Sequence, residues 1–384
     1  MNAFTFRTVP EIINEAGSVT KLGDLLAIRF TARKVAVVTD AFLHQSGLLR
    51  PALTSLAAQG FTITVVTDVV ADPPEQVVLS ATEHCRQAGV DLVIGLGGGS
   101  SMDVAKLVAV LLGGEQVLQG MYGVGNVKNA RLPLVQIPTT AGTGSEVTPI
   151  SIVTTGETTK MGVVSPQLYA DLAILDATLT LALPPKVTAA TGIDAMVHAI
   201  EAYTSKLRKN PLSDMLACEA LRLLSANLLT VCRDGNNLAA RQATLFGAML
   251  AGQAFANAPV AAVHALAYPI GGIFHVPHGL SNSLVLPHVL RFNAPEAGDL
   301  YAELAEVVIP GVSGSTEAKT EAFITYLEKL SVDTGIEQRL SQVGIQASDL
   351  EQLATDAMKQ TRLLVNNPRE VTYDDAFAIY QAAL

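Results

Sequence analysis

The feature that most constrains the fold is a change of pattern near residue 185. Before it, short β-branched runs alternate with helical stretches. Lys34–Thr39, Phe61–Val66, Asp91–Gly95 and Leu134–Ile137 read as strands, with helices expected over Gln45–Gln59, Glu75–Ala88 and Met102–Leu112. Alternation of this kind builds βαβ units and a parallel sheet. A hairpin-like region, Thr148–Val164, and a strand, Leu172–Leu175, follow. After Pro184-Pro185 the β runs stop. Helices are expected at about Lys186–Ser205, Leu212–Arg233, Leu238–Ala256 and Val260–Ile270, with several more from Ser281 onward. The expected architecture is therefore an α/β, Rossmann-like domain over residues 1–185 and an all-α domain over 186–384. A chain of 384 residues suits two domains, because single cores rarely grow past about 250–300 residues.

Composition narrows the function classes. The net charge is −10 and no Lys/Arg cluster stands out, so neither nucleic acid nor an anionic membrane is an expected partner. The longest apolar run considered, Leu107–Leu112, is far short of the roughly 20 residues of a membrane helix. Residues Met1–Arg7 lack a charged-then-apolar signal layout. Cys85, Cys218 and Cys232 are widely spaced in apolar helical patterns and read as reduced thiols. A cytoplasmic protein is expected.

Two loops suggest a nucleotide site. Gly95-Leu96-Gly97-Gly98-Gly99-Ser100 follows a predicted strand and opens a predicted helix. Glycines there let a phosphate approach the backbone, and the helix N-terminus supplies free N–H groups. Ser100 is placed to cap that helix, with Asp103 in capping-box position. The second loop, Pro138-Thr139-Thr140-Ala141-Gly142-Thr143-Gly144-Ser145-Glu146, is rich in hydroxyls and follows another strand. Asp40 ends the strand Val35–Thr39, where a carboxylate can accept from a ribose and repel a 2′-phosphate. A turn residue is the plainer reading of Asp40.

A second constellation suggests a metal. Asp194 and His198 are spaced i, i+4 on a predicted helix and project from one face. His264 and His278 bracket a Gly/Ala/Pro-rich segment. If the two pairs meet, one divalent ion gains three imidazoles and a carboxylate. No cysteine lies nearby, which points away from structural zinc and toward a catalytic ion. Glu201, one turn after His198, is a candidate partner for a ligating imidazole; a surface Glu is the alternative.

Taken together, the Gly-rich loop, the Thr-rich loop, Ala190-Thr191-Gly192-Ile193-Asp194-Ala195, His198-Ala199-Ile200-Glu201 and His264 through Pro277-His278-Gly279 resemble the iron-containing (class III) alcohol dehydrogenases. The resemblance runs over nearly the whole chain. It implies a dinucleotide-binding α/β domain, a helical domain and a ferrous ion in the cleft between them, with zinc as the other candidate metal. Carried over residue by residue, the ligands are Asp194, His198, His264 and His278. The implied NAD contacts are Asp40, Gly97, Gly98, Gly99, Ser100, Thr139, Thr140, Thr143 and Lys160. Ile150, Val153, Phe255 and Val260 would line the substrate end, and Phe4–Val9 would pair across a homodimer or higher oligomer. One departure stands out: many members carry a histidine four residues after His264, where this chain has Tyr268. The proton path would then use Tyr268 or His275, or water and the ribose hydroxyls.

The implied chemistry is hydride transfer between a substrate carbon and nicotinamide, with the cation polarising the substrate oxygen. The implied substrate-end residues are apolar and include no Arg or Lys to hold a carboxylate. Small primary alcohols, diols and their aldehydes are therefore expected over hydroxyacids. Maleylacetate reductases, hydroxyacid–oxoacid transhydrogenases and zinc glycerol dehydrogenases share much of the pattern. Dehydroquinate synthase-type lyases use a different ligand set, and an inactive nucleotide-binding scaffold would have no use for the quartet.

Overall fold

The structure, a computed structural model, describes residues 3–156 and 159–384. The chain divides into two compact units. One comprises Thr8–Thr140 and Gly144–Leu181; the other comprises Ala182–Leu384, Ala141–Thr143 and the N-terminal residues to Arg7.

The first unit is built on strands β1 (Ile12–Asn14), β2 (Lys34–Asp40), β3 (Thr62–Val69), β4 (Leu92–Gly97), β5 (Gly123–Val124), β6 (Leu134–Pro138), β7 (Ile150–Thr155), β8 (Thr159–Val164) and β9 (Leu172–Leu175). Six of them form a sheet in the order β1-β9-β6-β4-β2-β3, with every pairing parallel. β4 and β6 are buried along their whole length, which is why β4 reads as an unbroken apolar run and β6 as one broken only by Gln136, rather than as alternating ones. Val35, Val37, Ile94, Leu96, Val135 and Ile137 join Leu22, Leu26, Leu49 and Leu56 in one core. Each such side chain contributes about 1.5–3 kcal/mol on full burial.

Helices α1 (Leu22–Ala27), α2 (Ala41–Ser46), α3 (Arg50–Ala58), α4 (Glu75–Gln87) and α5 (Gly99–Leu112) connect these strands. From β2 the chain runs outward to β3, then returns to form β4 on β2's other side and continues to β6. The connections therefore diverge at the carboxyl ends of β2 and β4, the switch point where open α/β sheets bind ligands. The expected helix Gln45–Gln59 is in fact α2 and α3, because Gly47 turns left-handed at φ 80° and ends the first. β7 and β8 form the expected antiparallel hairpin; its tip, Glu157 and Thr158, lies outside the described residues, as do Met1 and Asn2.

The second unit contains α6 (Pro185–Tyr203), α7 (Pro211–Arg233), α8 (Leu238–Asn257), α9 (Ala262–Phe274), α10 (His278–Val308), α11 (Thr316–Thr334), α12 (Leu350–Ala357), α13 (Thr361–Leu364) and α14 (Tyr373–Ala383). α7 is long and apolar enough to cross a membrane by length and composition. It packs on α6 and α8, burying Ala217, Ala220, Leu221, Leu224, Leu228 and Val231 at the spacing of one helix face. No strand forms at Phe4–Val9 among the described residues. Instead Asn257 clasps the main chain of Arg7, accepting its N–H at 2.7 Å and donating to its carbonyl at 2.9 Å.

Candidate functional site

In the first unit, Asp40 and the Gly-rich loop stand at the carboxyl ends of β2 and β4, the two strands that flank the switch point. Asp40 caps α2, its Oδ1 accepting the Leu43 N–H at 2.8 Å. A carboxylate retains further acceptor sites for a ribose. α5 begins at Gly99, with Gly98 as its N-cap and no side-chain cap. The expected capping box is therefore corrected: Ser100 already lies inside the helix. Asp103 serves elsewhere, accepting from Ser145 Oγ at 2.6 Å and from the Ile152 N–H at 2.8 Å. The first-turn N–H groups thus have no side-chain partner at their cap, the condition for receiving a phosphate.

A Cβ at Gly98 would meet only Thr140, at 3.8 Å. Its absence leaves a hollow over the helix start, and a nucleotide phosphate fits that space. The Thr139 N–H donates to the Gly97 carbonyl at 2.9 Å, tying the second loop to the first. Thr143 belongs to the helical unit rather than to this loop pair. Lys160, on β8, places Nζ 2.7 Å from Asp72 Oδ1.

In the helical unit the quartet comes together. Asp194 and His198 project from α6 one turn apart, His264 comes from α9, and His278 is the first residue of α10. Their ligand atoms all lie within 4.8 Å of one another. Asp194 Oδ1 stands 3.6 Å from His278 Nε2, 3.8 Å from His264 Nε2 and 4.0 Å from His198 Nε2. Four donors about 2.1 Å from a tetrahedral ion stand about 3.4 Å apart, and the three distances to Asp194 lie a few tenths of an ångström outside that spacing. The residues fit a divalent cation. His275 adopts φ 56° and ends α9, and the chain turns there to start α10 at His278. Gly279 lets α10 approach α6, since a Cβ would fall 2.3 Å from the Ala190 carbonyl oxygen.

The surroundings aim the donors. Glu201 accepts from His264 Nδ1 at 2.6 Å and from the Val263 N–H at 2.7 Å, which fixes the tautomer whose Nε2 lone pair faces Asp194. Phe255 stacks on His198, and His198 on His264, with centroids 4.3 and 4.7 Å apart. Phe255 thus orients a ligand ring, a role its apolar character did not signal. Burial drives the His198 imidazole down to about 3, so its ring is neutral and ready to ligate at ordinary pH. Burial alone would raise the Asp194 carboxyl, but His198, His278, His264 and the Asn282 amide hold it below its ordinary value.

The remaining predicted residues are placed as follows. Tyr268 lies beside His278, with ring centroids 6.0 Å apart. His275 is exposed, and among the described residues no hydrogen bond or ring contact links it to the four donors. Ile150 uses its carbonyl to accept from Lys106 Nζ at 2.6 Å, Val153 is buried in the first unit, and Val260 is buried in the second. Asn282, which sequence reasoning missed, donates to Asp194 Oδ1 at 2.6 Å.

The chain combines a parallel-sheet unit that has an uncapped helix at its switch point with a helical unit whose carboxylate–triimidazole cluster could hold a metal ion. The comparisons agree. Residues 10–177 match the iron-containing alcohol dehydrogenase family, and residues 188–384 match the C-terminal part of the Fe-containing alcohol dehydrogenase family. The chain is 42% identical to long-chain-alcohol dehydrogenase 1 of Geobacillus thermodenitrificans, over 92% of this chain and 90% of that one. It is 33% identical to the NAD-dependent methanol dehydrogenase of Bacillus methanolicus, over 98% of each. A crystal structure of 1,3-propanediol oxidoreductase superposes with a TM-score of 0.96 over 100% of both chains at 32% identity. This chain belongs to the iron-containing alcohol dehydrogenase family.

Proposed function

We propose that the protein is an NAD(H)-dependent alcohol dehydrogenase and aldehyde reductase acting on small primary alcohols or diols, with ferrous iron held by Asp194, His198, His264 and His278. The observation that carries this is the quartet itself, a buried set of acceptors with donor spacing close to that of a metal shell. Relatives named for methanol and 1,3-propanediol support small alcohols and diols, while the one named for long-chain alcohols supports alcohol oxidation without the size limit. The bound cation supplies Lewis-acid polarisation of the substrate oxygen, and bound NAD supplies the hydride acceptor. The protein's part is positioning. Glu201 keeps the proton on His264 Nδ1, Phe255 fixes the His198 ring, and burial keeps His198 deprotonated.

In the nucleotide unit, Gly97, Gly98, Gly99 and Ser100 offer the helix start to a phosphate, while Thr139 and Thr140 bring hydroxyls; Thr143, counted with the helical unit, is a further cofactor candidate. Asp40 accepts from the adenosine ribose and disfavours a 2′-phosphate. Lys160 serves the cofactor while paired with Asp72. Ile150, Val153, Phe255 and Val260 supply apolar surface for the substrate, and Tyr268, beside His278, is the better placed proton-path candidate than His275. A cytoplasmic homodimer is the expected working form.

Elemental analysis of anaerobically purified protein, with an NAD-versus-NADP screen over short alcohols and aldehydes, tests the proposal. About one iron per chain and NADH formation are expected. Metal-free protein with full activity, or a strong preference for an anionic substrate, would sink it. Asp40→Gly is expected to relax the NAD preference.

A further inference from the structure

We infer that Asn282 is a positioning residue of the metal centre: it closes one triangular face of the four-donor shell and steadies Asp194, so that an exogenous ligand must enter through a face that includes His198. This rests on the quartet being a metal site. Asn282 lies on α10 one turn beyond His278 and is completely buried. Its Nδ2 stands 2.6 Å from Asp194 Oδ1, 3.2 Å from His264 Nε2 and 3.3 Å from His278 Nε2. An atom at comparable distances from three donors sits over the triangle they form. The fourth donor, His198 Nε2, is within 4.8 Å of the other three, so an amide on its side of the triangle would clash with it, and the amide covers the opposite side.

The orientation of the amide follows from charge. Turned over, its oxygen would meet a carboxylate oxygen, whereas the N–H end donates to it. Held this way, Oδ1 is buried with no hydrogen-bond partner among the described residues. A buried carbonyl left unpaired is unfavourable, and it is tolerated here because the N–H end is needed at the donors. His264 cannot turn its proton toward Asn282, since Nδ1–H is held by Glu201. Asn282 therefore donates to Asp194 and stands against acceptor nitrogens, on the side of the triangle away from His198. The other three faces of the shell all include His198.

Cobalt(II) is the probe, because its visible bands weaken as coordination number rises. In Asn282→Ala the covered face opens: a water enters, the bands weaken, and chelator competition shows Co2+ affinity lowered about 10–100-fold, as for other partners of ligand groups. Asn282→Leu fills the face without donating, so affinity falls similarly while band intensity stays that of the unmodified protein. Unmodified affinity and spectra in both variants would overturn the inference, as would the same spectral change in both. A measurement on the unmodified chain keeps the test independent of mutant folding. With 15N-asparagine label, one side-chain amide should be strongly displaced in the Co2+ protein and not in the Zn2+ protein; no displaced amide refutes the placement. Failure of the unmodified protein to bind Co2+ at all would instead overturn the metal centre, a distinguishable result.

Discussion

Two buried polar clusters, one in each unit, look alike in composition and differ in balance. In the nucleotide unit, Lys106 is fully buried. Its ammonium donates to the Ile150 carbonyl at 2.6 Å, Ser145 Oγ at 2.7 Å and Thr148 Oγ1 at 3.2 Å, with Asp103 Oδ1 at 3.5 Å. The cation sits on a lysine stem, and the acceptors around it are spoken for. In the helical unit, Asp194, His264 and His278 share one amide donor, Asn282 Nδ2, and His198 completes the set. Among the described residues no lysine or arginine pairs with Asp194. A self-contained cluster fastens elements together; a cluster short of positive charge is built to take something in.

Breaking the second cluster should therefore abolish function and spare the fold. Asp194→Ala is expected to lose metal and to lower turnover at least about a thousandfold, since Lewis-acid stabilisation is worth several kcal/mol. Metal analysis and NADH absorbance read this, while circular dichroism of the metal-free variant should match the unmodified protein. Retained metal and activity would remove the contrast. Breaking the first cluster should do the reverse. Lys106→Met leaves the partly exposed Asp103 without its cation and the Ile150 carbonyl without its donor, and stability is expected to drop by about 1–3 kcal/mol in urea unfolding. A small change there would mean that Asp103 simply binds a proton, a tendency already set up by burial, which raises its carboxyl against the pull of Lys106.

A finer probe of the same cluster is pH. Burial pushes the Glu146 carboxyl from its ordinary 4.5 up to about 7, against its own backbone amide and Lys106. Between these values the folded chain keeps a proton that the unfolded chain has lost. The associated stability is complete below the unfolded value and is lost as pH rises through the folded one, with a magnitude of at most about 3 kcal/mol. Melting temperature should thus decline over that window, and Glu146→Gln should flatten the decline; an unchanged slope would discount Glu146. In the metal cluster, the corresponding fine adjustment is Glu201→Gln. It cannot accept from both His264 Nδ1 and the Val263 N–H, so metal affinity is expected to fall about 10–100-fold, with little change in the melting of the metal-free protein. Equal affinity in a chelator competition would show that His264 needs no orienting partner.

The quartet was legible because ligand chemistry is confined to few residue types and helical spacing puts Asp194 and His198 on one face. Glu201 was legible by the same rule. Asn282 obeys it too, four residues after His278 on α10, yet an amide in an apolar helix carries no chemical flag until its neighbours are known. Phe255 was expected at the substrate end, and its stacking on His198 is a further contact that apolar character alone does not signal. The sheet was legible from β-branched runs whose burial on both faces suppresses alternation. Helix ends were harder. Ser100 and Asp103 form a plausible capping box, but the cap falls two residues earlier, at Gly98, and Ser145 and the Ile152 N–H claim the carboxylate. Pro269, Pro287 and Pro295 lie inside α9 and α10, where local propensity would have ended a helix and tertiary packing carries it through.

The stretch Ala141–Thr143 has a consequence for anyone who would take this protein apart. It follows directly on β6 yet belongs with the helices. A Cβ at Gly142 would lie 2.7 Å from Thr191 Cβ, and the Gly142 backbone acts on the His198 ring. Cutting the gene at the obvious proline pair would leave the helical half without three residues that no downstream sequence encodes. The modules of this protein are separable on paper, but its reading frame is braided.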